Sequence, residues 1–259
     1  MYDGRLRVLH LTDLHLRRSQ SGTANQPERL SREIPDLLQR LADRLHEWAP
    51  NVIAMTGDLL DVPEDVLNGN LRLREPTAGA EAVGAAFEDY RWIRKWLDSV
   101  GVPWVVIPGN HDHRRAFSSS FQTASPDVCY GGWRFIGFDD DLDPGRTPTR
   151  FNAERHRFQS VCNNDASPQI HLQHYMLRPR LHRRTPYSYK PAVGLVTRIE
   201  ATPNVRLVLS GHYHPGAYAK STCGVVYSTA PAFCETPFRF RLIDLLGLDE
   251  ISIKNCSVK

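Results

Sequence analysis

Residues 52–61 read Val-Ile-Ala-Met-Thr-Gly-Asp-Leu-Leu-Asp, a short apolar run that ends in a glycine and a carboxylate. A run of this length, closed by a turn residue, fits a strand buried on both faces. Working outward, the same arrangement recurs. Residues 5–11 (RLRVLHL) lead into Asp13-Leu14-His15, and Trp104-Val105-Val106-Ile107 leads into Gly109-Asn110-His111-Asp112. Later, the run 169–173 precedes His174, and 205–209 precedes Gly211-His212-Tyr213-His214. Each strand-like segment therefore hands over to a residue that can bind a metal.

The segments between these runs are helical in pattern. Leu30, Ile34, Leu37, Leu38, Leu41, Leu45 and Trp48 predict an amphipathic helix over 29–48, stopped by Pro50-Asn51. Val83, Phe87, Tyr90, Ile93, Leu97 and Val100 predict a second long helix. The first half thus reads β-α-β-α-β, the pattern of a mostly parallel sheet covered by helices. The second half predicts strands at 133–138, 169–173, 205–209, 224–228, 239–243 and 251–254. A helix starts at Asn152 as N-cap and runs to about 161, and another lies within 191–201. Two sheets packed face to face between outer helices fit this order, in one domain spanning residues 1–259. The polar stretches 17–28 and 62–80 each follow a ligand cluster and are expected to be loops that shape a pocket or lid.

Composition narrows the function. With 41% hydrophobic and 24% charged residues the chain is not of disordered type. A net charge of +3 is far from the concentrated basic stripe of a dedicated nucleic-acid binder, so a nucleic-acid partner is admitted but not favoured. Cys129, Cys162, Cys223, Cys234 and Cys256 show no CxxC pairing, and are expected to be buried thiols rather than a disulfide framework. The start, MYDGRLRVLHLTD, enters a strand without a cationic and apolar leader. No apolar run approaches the roughly 18 residues of a membrane span. The expectation is a soluble cytoplasmic protein with no membrane partner.

The five clusters read best as one site. In open α/β sheets functional groups gather beyond the carboxyl ends of the strands, so loops distant in sequence can meet at one edge. Asp, His and Asn together suit two adjacent divalent cations, mixing imidazole nitrogen with carboxylate and amide oxygen. Two cations about 3.5–4 Å apart form a clamp for displacing an oxygen at phosphorus. Asp13 and His15, two residues apart in an extended loop, point the same way and can chelate one cation. His212 and His214 either do likewise or serve one cation each. Asp58 stands alone between glycine and leucine, and its two oxygens can bridge a pair. Gly57, Gly109 and Gly211 each precede a ligand, where a residue without Cβ permits a sharp turn. Any single cluster is compatible with an ordinary surface turn; the ordered set is what marks a site.

LTDLHL, GDLLD, GNHD, a lone histidine after a strand and GHYH, spread from Leu11 to His214, resemble the calcineurin-like metallophosphoesterase family. The resemblance implies an α/β fold: a four-layer αββα sandwich of two mixed β-sheets flanked by helices, with a dinuclear centre at the strand ends. It implies Asp13, His15, Asp58 and His214 on one metal and Asp58, Asn110, His174 and His212 on the other, with Asp58 and a hydroxide bridging. His111 would not be a ligand; with Asp58 it is the implied catalytic pair, His111 facing the phosphate and assisting the leaving oxygen. The cofactors would be two divalent or trivalent ions, with Mn, Fe and Zn as the leading candidates for such mixed donors.

The branch is read from departures. Protein phosphatases of this superfamily carry an arginine after the second motif (GDxxDRG), whereas Val62 follows Asp61 here. The overall pattern is most similar to the branch of cyclic-nucleotide phosphodiesterases. The expected partner is thus a phosphate ester, with a nucleotide among the candidates, and the expected reaction hydrolysis of a phosphodiester. A repair-type nuclease, a phosphomonoesterase and an inactive interaction scaffold are the alternatives. QIHLQHYML offers His171 and His174, and His174 is preferred because it lies nearer the strand's carboxyl end. Asp61 and Asp112 are read either as orienters of ligand histidines or as turn caps, and His10 and His113 either as partners of the ligands or as packing residues. Arg178, Arg180, Arg183 and Arg184 form either an anion-binding loop or a solvated basic turn, and Tyr187 and Tyr189 either stack on a base or pack on the sheet.

Overall fold

The computed structural model describes residues 5–23, 25–164, 167–180, 189 and 192–259. In chain order the strands are β1 (Leu6–Leu11), β2 (Val52–Thr56), β3 (Trp104–Ile107), β4 (Asp127–Tyr130), β5 (Trp133–Gly137), β6 (Asp141–Leu142) and β7 (Pro148–Thr149). They continue with β8 (Gln169–Leu172), β9 (Val205–Ser210), β10 (Ala217–Lys220), β11 (Val226–Thr229), β12 (Arg239–Leu245) and β13 (Ile251–Ser257). The helices are α1 (Ile34–Asp43), α2 (Leu45–Trp48), α3 (Glu64–Leu67), α4 (Asn70–Arg74), α5 (Pro76–Ser99), α6 (Arg114–Phe121), α7 (Asn152–Asn164) and α8 (Ala192–Glu200).

One sheet has the order β13-β12-β1-β2-β3, the other β10-β11-β9-β8-β5-β4, and β6-β7 is a separate two-stranded ribbon. In each large sheet the central strands run parallel (β1, β2 and β3; β5, β8, β9 and β11), while β12, β13, β4 and β10 are antiparallel to their neighbours. Both sheets are therefore mixed. The two-residue alternation of strand side chains sorts the core into three layers. Val8, Val52, Ala54, Val105 and Ile107 face Phe135, Ile170, Leu172, Leu207 and Leu209 of the other sheet. Their alternates Leu9, Ile53, Met55 and Val106 pack outward with Leu37, Leu41, Tyr90, Ile93 and Phe117 of α1, α5 and α6. On the far side Ile136, Val205 and Val208 pack with Phe158 of α7 and Val196 and Ile199 of α8. The four-layer αββα sandwich implied by the sequence is what the chain forms.

Three expectations need correction. The helix expected over 29–48 begins only at Ile34, because Pro35 is tolerated in a first turn but not deeper, and it breaks at Arg44. Residues 29–33 instead form a connection pinned by Leu30 N–H to Cys234 O (3.0 Å) and Arg17 N–H to Ser31 O (3.1 Å). The stretch 62–80, expected as an open loop, contains α3, α4 and the start of α5, which Pro76 opens at a position where its missing N–H costs nothing. Of the cysteines only Cys234 is buried; Cys129 and Cys223 are exposed and Cys162 and Cys256 half-buried, all free. No helix among the described residues is long and apolar enough to cross a membrane.

Candidate metal centre

The parallel strands end at one edge, and the loops leaving them are tied together by backbone bonds. Asp13 N–H donates to Gly57 O (3.0 Å), His15 N–H to Asp58 O (2.9 Å) and Leu16 N–H to Leu59 O (2.9 Å), so the loops after β1 and β2 continue side by side. Gly211 N–H donates to His174 O (2.9 Å), which joins the loops after β8 and β9. His212 N–H donates to Asp13 Oδ2 (2.9 Å) and links the two sheets across the edge. Several ligand-type residues themselves take the left-handed conformation: Asp13 (φ 51°), His15 (φ 45°), Asp58 (φ 50°) and His212 (φ 65°). Each costs about 1–2 kcal/mol, and such strain persists only where surrounding bonds fix it. Gly57 does share in the turning (φ 92°), but at Gly211 the need is space, since a Cβ there would overlap Thr12 Oγ1. The turning is thus shared between Gly57 and the candidate ligand residues themselves.

The side chains converge in two groups whose donor atoms lie within 4.8 Å of one another: Asp13, His15 and His214, and Asp58, His174 and His212. Asp58 Oδ2 lies 3.3 Å from His174 Nε2 and also 3.6 Å from His15 Nε2, so one oxygen stands between the groups. The other oxygen, Oδ1, accepts His111 N–H at 2.7 Å. Asn110 Oδ1 is 3.1 Å from His174 Nε2, and His214 Nε2 is 3.6 Å from Asp13 Oδ1. Two donors that share an ion at about 2.0–2.2 Å stand roughly 3–3.5 Å apart, close to these spacings. Both nitrogens of His15 are buried without a hydrogen-bond partner; a cation on Nε2 would remove that nitrogen's share of the cost. The donor set therefore fits two cations.

Charges in the cleft agree. Burial alone would raise the Asp58 carboxyl, but the neighbouring His174, His111 and His15 hold it well below the usual carboxylate range. Burial pushes His15 down to about 4, against the pull of Asp61 and Asp58. His174 and His214 go the other way: burial disfavours their protons, but Asp58 beside His174, and Asp13 and Glu235 beside His214, raise each to about 9. The carboxylates are thus ionised, and the protons on the two histidines are held where a cation would displace them.

Residues behind the candidate ligands fix their orientation. His174 Nδ1–H donates to Thr56 O (2.8 Å), which turns Nε2 toward Asp58. His214 Nδ1 is bonded by Glu235, leaving Nε2 toward Asp13. Asp61 Oδ1 faces both His15 Nδ1 and His111 Nδ1 at 3.5 Å, so its reading as an orienter is the one the geometry favours. Asp112 is a turn cap: it accepts from the N–H groups of Gly109, Leu59 and Leu60 and from Tyr90 Oη, with no bond to a ligand histidine. His113 caps α6 by accepting from Ala116 N–H, and His10 is buried against Thr56 Oγ1. His171 points away from the edge, between Phe138 and Phe158, and bonds Gln169.

Glu235, Arg29 and the Thr56 carbonyl were not anticipated. Glu235 follows His214 by a strand pair and sits in no ligand motif, so no local spacing marks it. Cys234, expected as a buried thiol and found as one, approaches His214 and Glu235, and burial raises its thiol far above neutrality. Arg178 pairs with Glu200 (2.9 Å) and lies over Tyr227, Arg180 is exposed, and Tyr189 is buried with its hydroxyl on Asp140. Arg183, Arg184 and Tyr187 lie outside the described residues.

The sequence profile of the calcineurin-like phosphoesterases matches residues 6–216. The chain belongs to the calcineurin-like phosphoesterase family. Members of this family act on phosphate esters with a pair of metal ions, and the two Asp/His groups at the sheet edge are this chain's candidate holders of that pair. A probable cyclic nucleotide phosphodiesterase of Synechococcus sp. is 27% identical over 157 residues, which cover 56% of this chain and 61% of that protein's length. Among solved structures, a dimetal phosphatase from Danio rerio superposes with a TM-score of 0.72 at 14% identity, covering 98% of this chain and 96% of the other. The calcineurin-like phosphoesterase YfkN from Bacillus subtilis gives 0.55 at 12% identity over 98% and 91% of the chains. At such identities these likenesses speak for the phosphoesterase fold alone.

Proposed function

We propose that the protein is a dinuclear metal-dependent phosphodiesterase acting on small-molecule or nucleotide diesters. The observation that carries the reading is the position of Asp58 Oδ2 between the Asp13–His15–His214 group and the Asp58–His174–His212 group. In this reading one ion would be held by Asp13, His15, Asp58 and His214, and the other by Asp58, Asn110, His174 and His212. When bound, the two ions would supply Lewis acidity and lower the pKa of a water from about 15.7 toward 7.

The chain's own groups account for the remainder. His111 N–H on Asp58 Oδ1 keeps Oδ2 directed between the groups. The His111 ring stands edge-on to His15 at 5.0 Å and its side chain is 21% exposed, so it borders the cleft without being enclosed by it. From there its ring would donate a proton or a hydrogen bond to the departing oxygen, while Asp61, facing Nδ1, holds the ring's orientation. Preference for a diester is supported by the Synechococcus relative, whose name is that of a probable cyclic nucleotide phosphodiesterase. The test is a titration of the purified protein with Mn²⁺ while bis-(p-nitrophenyl) phosphate cleavage is followed, then cyclic nucleotides, p-nitrophenyl phosphate and single-stranded DNA side by side. Turnover should rise to two equivalents of metal, with diesters cleaved fastest. Absence of cleavage at full occupancy, or preference for the monoester or DNA, contradicts the reading.

A further inference from the structure

Arg29 enters the cleft from the connection between β1 and α1, outside every ligand motif. Its Nη1 donates to Asp61 Oδ1 at 2.9 Å and lies 3.4 Å from His111 Nε2. The side chain is 10% exposed. Its Nε is buried without an acceptor, and Nη2 has no protein acceptor among the described residues. The position is fixed by fold rather than chance: Leu30 N–H is bonded to Cys234 O and Ser31 O accepts from Arg17 N–H, so the backbone on the C-terminal side of Arg29 is tied to the floor of the site.

Neutralising Asp61 does not account for this arrangement. That carboxylate already accepts from Thr23 N–H (2.6 Å) and Thr23 Oγ1 (2.8 Å) and faces His15 and His111. A guanidinium carries five N–H donors in a planar fork, of which Asp61 engages one nitrogen. An enclosed cation with unspent donors, beside the ring assigned to the leaving oxygen, is matched to an oxyanion. It also argues against a third cation among His15, Asp61 and His111, whose donor atoms do approach one another, because the arginine already occupies the Asp61 oxygen.

We propose that Arg29 binds the phosphate group directly, donating from a free N–H to a non-bridging oxygen while Asp61 anchors the guanidinium. This rests on the phosphoesterase reading above and adds a substrate-contacting residue to it. The probe is inorganic phosphate, titrated by calorimetry into Mn²⁺-loaded wild-type protein, Arg29→Gln and Arg29→Lys, with metal content and thermal unfolding recorded for each. Arg29→Gln should keep both ions and weaken phosphate binding at least about tenfold, the low end for a hydrogen bond to a charged group. Arg29→Lys, which keeps the charge and is the safer variant for folding, should fall between. In steady-state assays the loss should appear mainly in KM for bis-(p-nitrophenyl) phosphate. Phosphate binding equal to wild type in either folded, metal-loaded variant overturns the proposal and leaves Arg29 a counter-charge. If wild-type protein cleaves no ester yet loses phosphate affinity on Arg29→Gln, the inference stands and the hydrolase reading fails.

Discussion

Asp58 Oδ2 and His174 Nε2 stand 3.3 Å apart, and the same oxygen reaches to within 3.6 Å of His15 Nε2 on the other side. A buried carboxylate placed between two imidazoles from different sheets has no role in packing that an apolar residue would not fill better. Its position follows from β2 and β8 ending at one edge and from the His111 N–H that occupies its other oxygen.

The role given to His111 separates cleanly from metal binding. His111→Ala should retain both ions and lower turnover by about 10²–10⁴, the usual contribution of a general acid. The loss should be larger for esters with poor leaving groups. Metal analysis beside kcat on substrates of graded leaving-group pKa checks this; loss of an ion from the variant would make His111 a ligand.

Glu235 should matter although no motif contains it. Glu235→Gln removes the carboxylate that holds His214 Nδ1 and should weaken binding of one ion by about 10–100-fold, leaving the other little changed. Competition with a metal indicator reads both affinities. Unchanged affinities would reduce Glu235 to a surface partner of the ring.

Away from the cleft, His171 gives the fold an acid limit. Burial, with help from the charges of Arg150 and Arg157, lowers it to about 3, whereas in the unfolded chain it titrates near its ordinary 6.5. Between those values the unfolded state binds the extra proton, so stability is complete above about 6.5 and is lost as pH falls toward 3, at up to about 1.4 kcal/mol per pH unit. His10, held down to about 3 by burial and Arg241, adds a share in the same direction. His171→Phe should cost about 1–3 kcal/mol at pH 8 by leaving Gln169 Oε1 unpaired, yet flatten the decline between pH 6.5 and 5. Urea unfolding at several pH values measures the slope; an unaltered slope would show that His171 is not the titrating group.

The strands and the side-chain clusters at their ends were legible because each apolar run is short, strongly patterned and followed at once by a metal-binding type of residue. His174 could be separated from His171 for the same reason: in a strand with a two-residue period, residue 171 faces α7 while the residue beyond the carboxyl end is free to turn into the edge. What the sequence did not show is what lies behind the ligands. Glu235 and Arg29 reach the site through backbone ties between distant segments, and neither carries a spacing signal. The breaks at Pro35 and Arg44, and the helices within 62–80, escaped because local proline placement and docking on α5 outweighed hydrophobic periodicity.

The most direct test of the shared carboxylate is metal analysis of Asp58→Asn after dialysis against Mn²⁺, with wild type and His111→Ala alongside. The account predicts about two ions in wild type and His111→Ala, and in Asp58→Asn the loss of both together with a drop in diester cleavage of at least about 10². Asp58→Asn that still holds both ions at wild-type affinity, or that loses one and keeps the other tightly, would contradict the claim that this carboxylate would serve both ions.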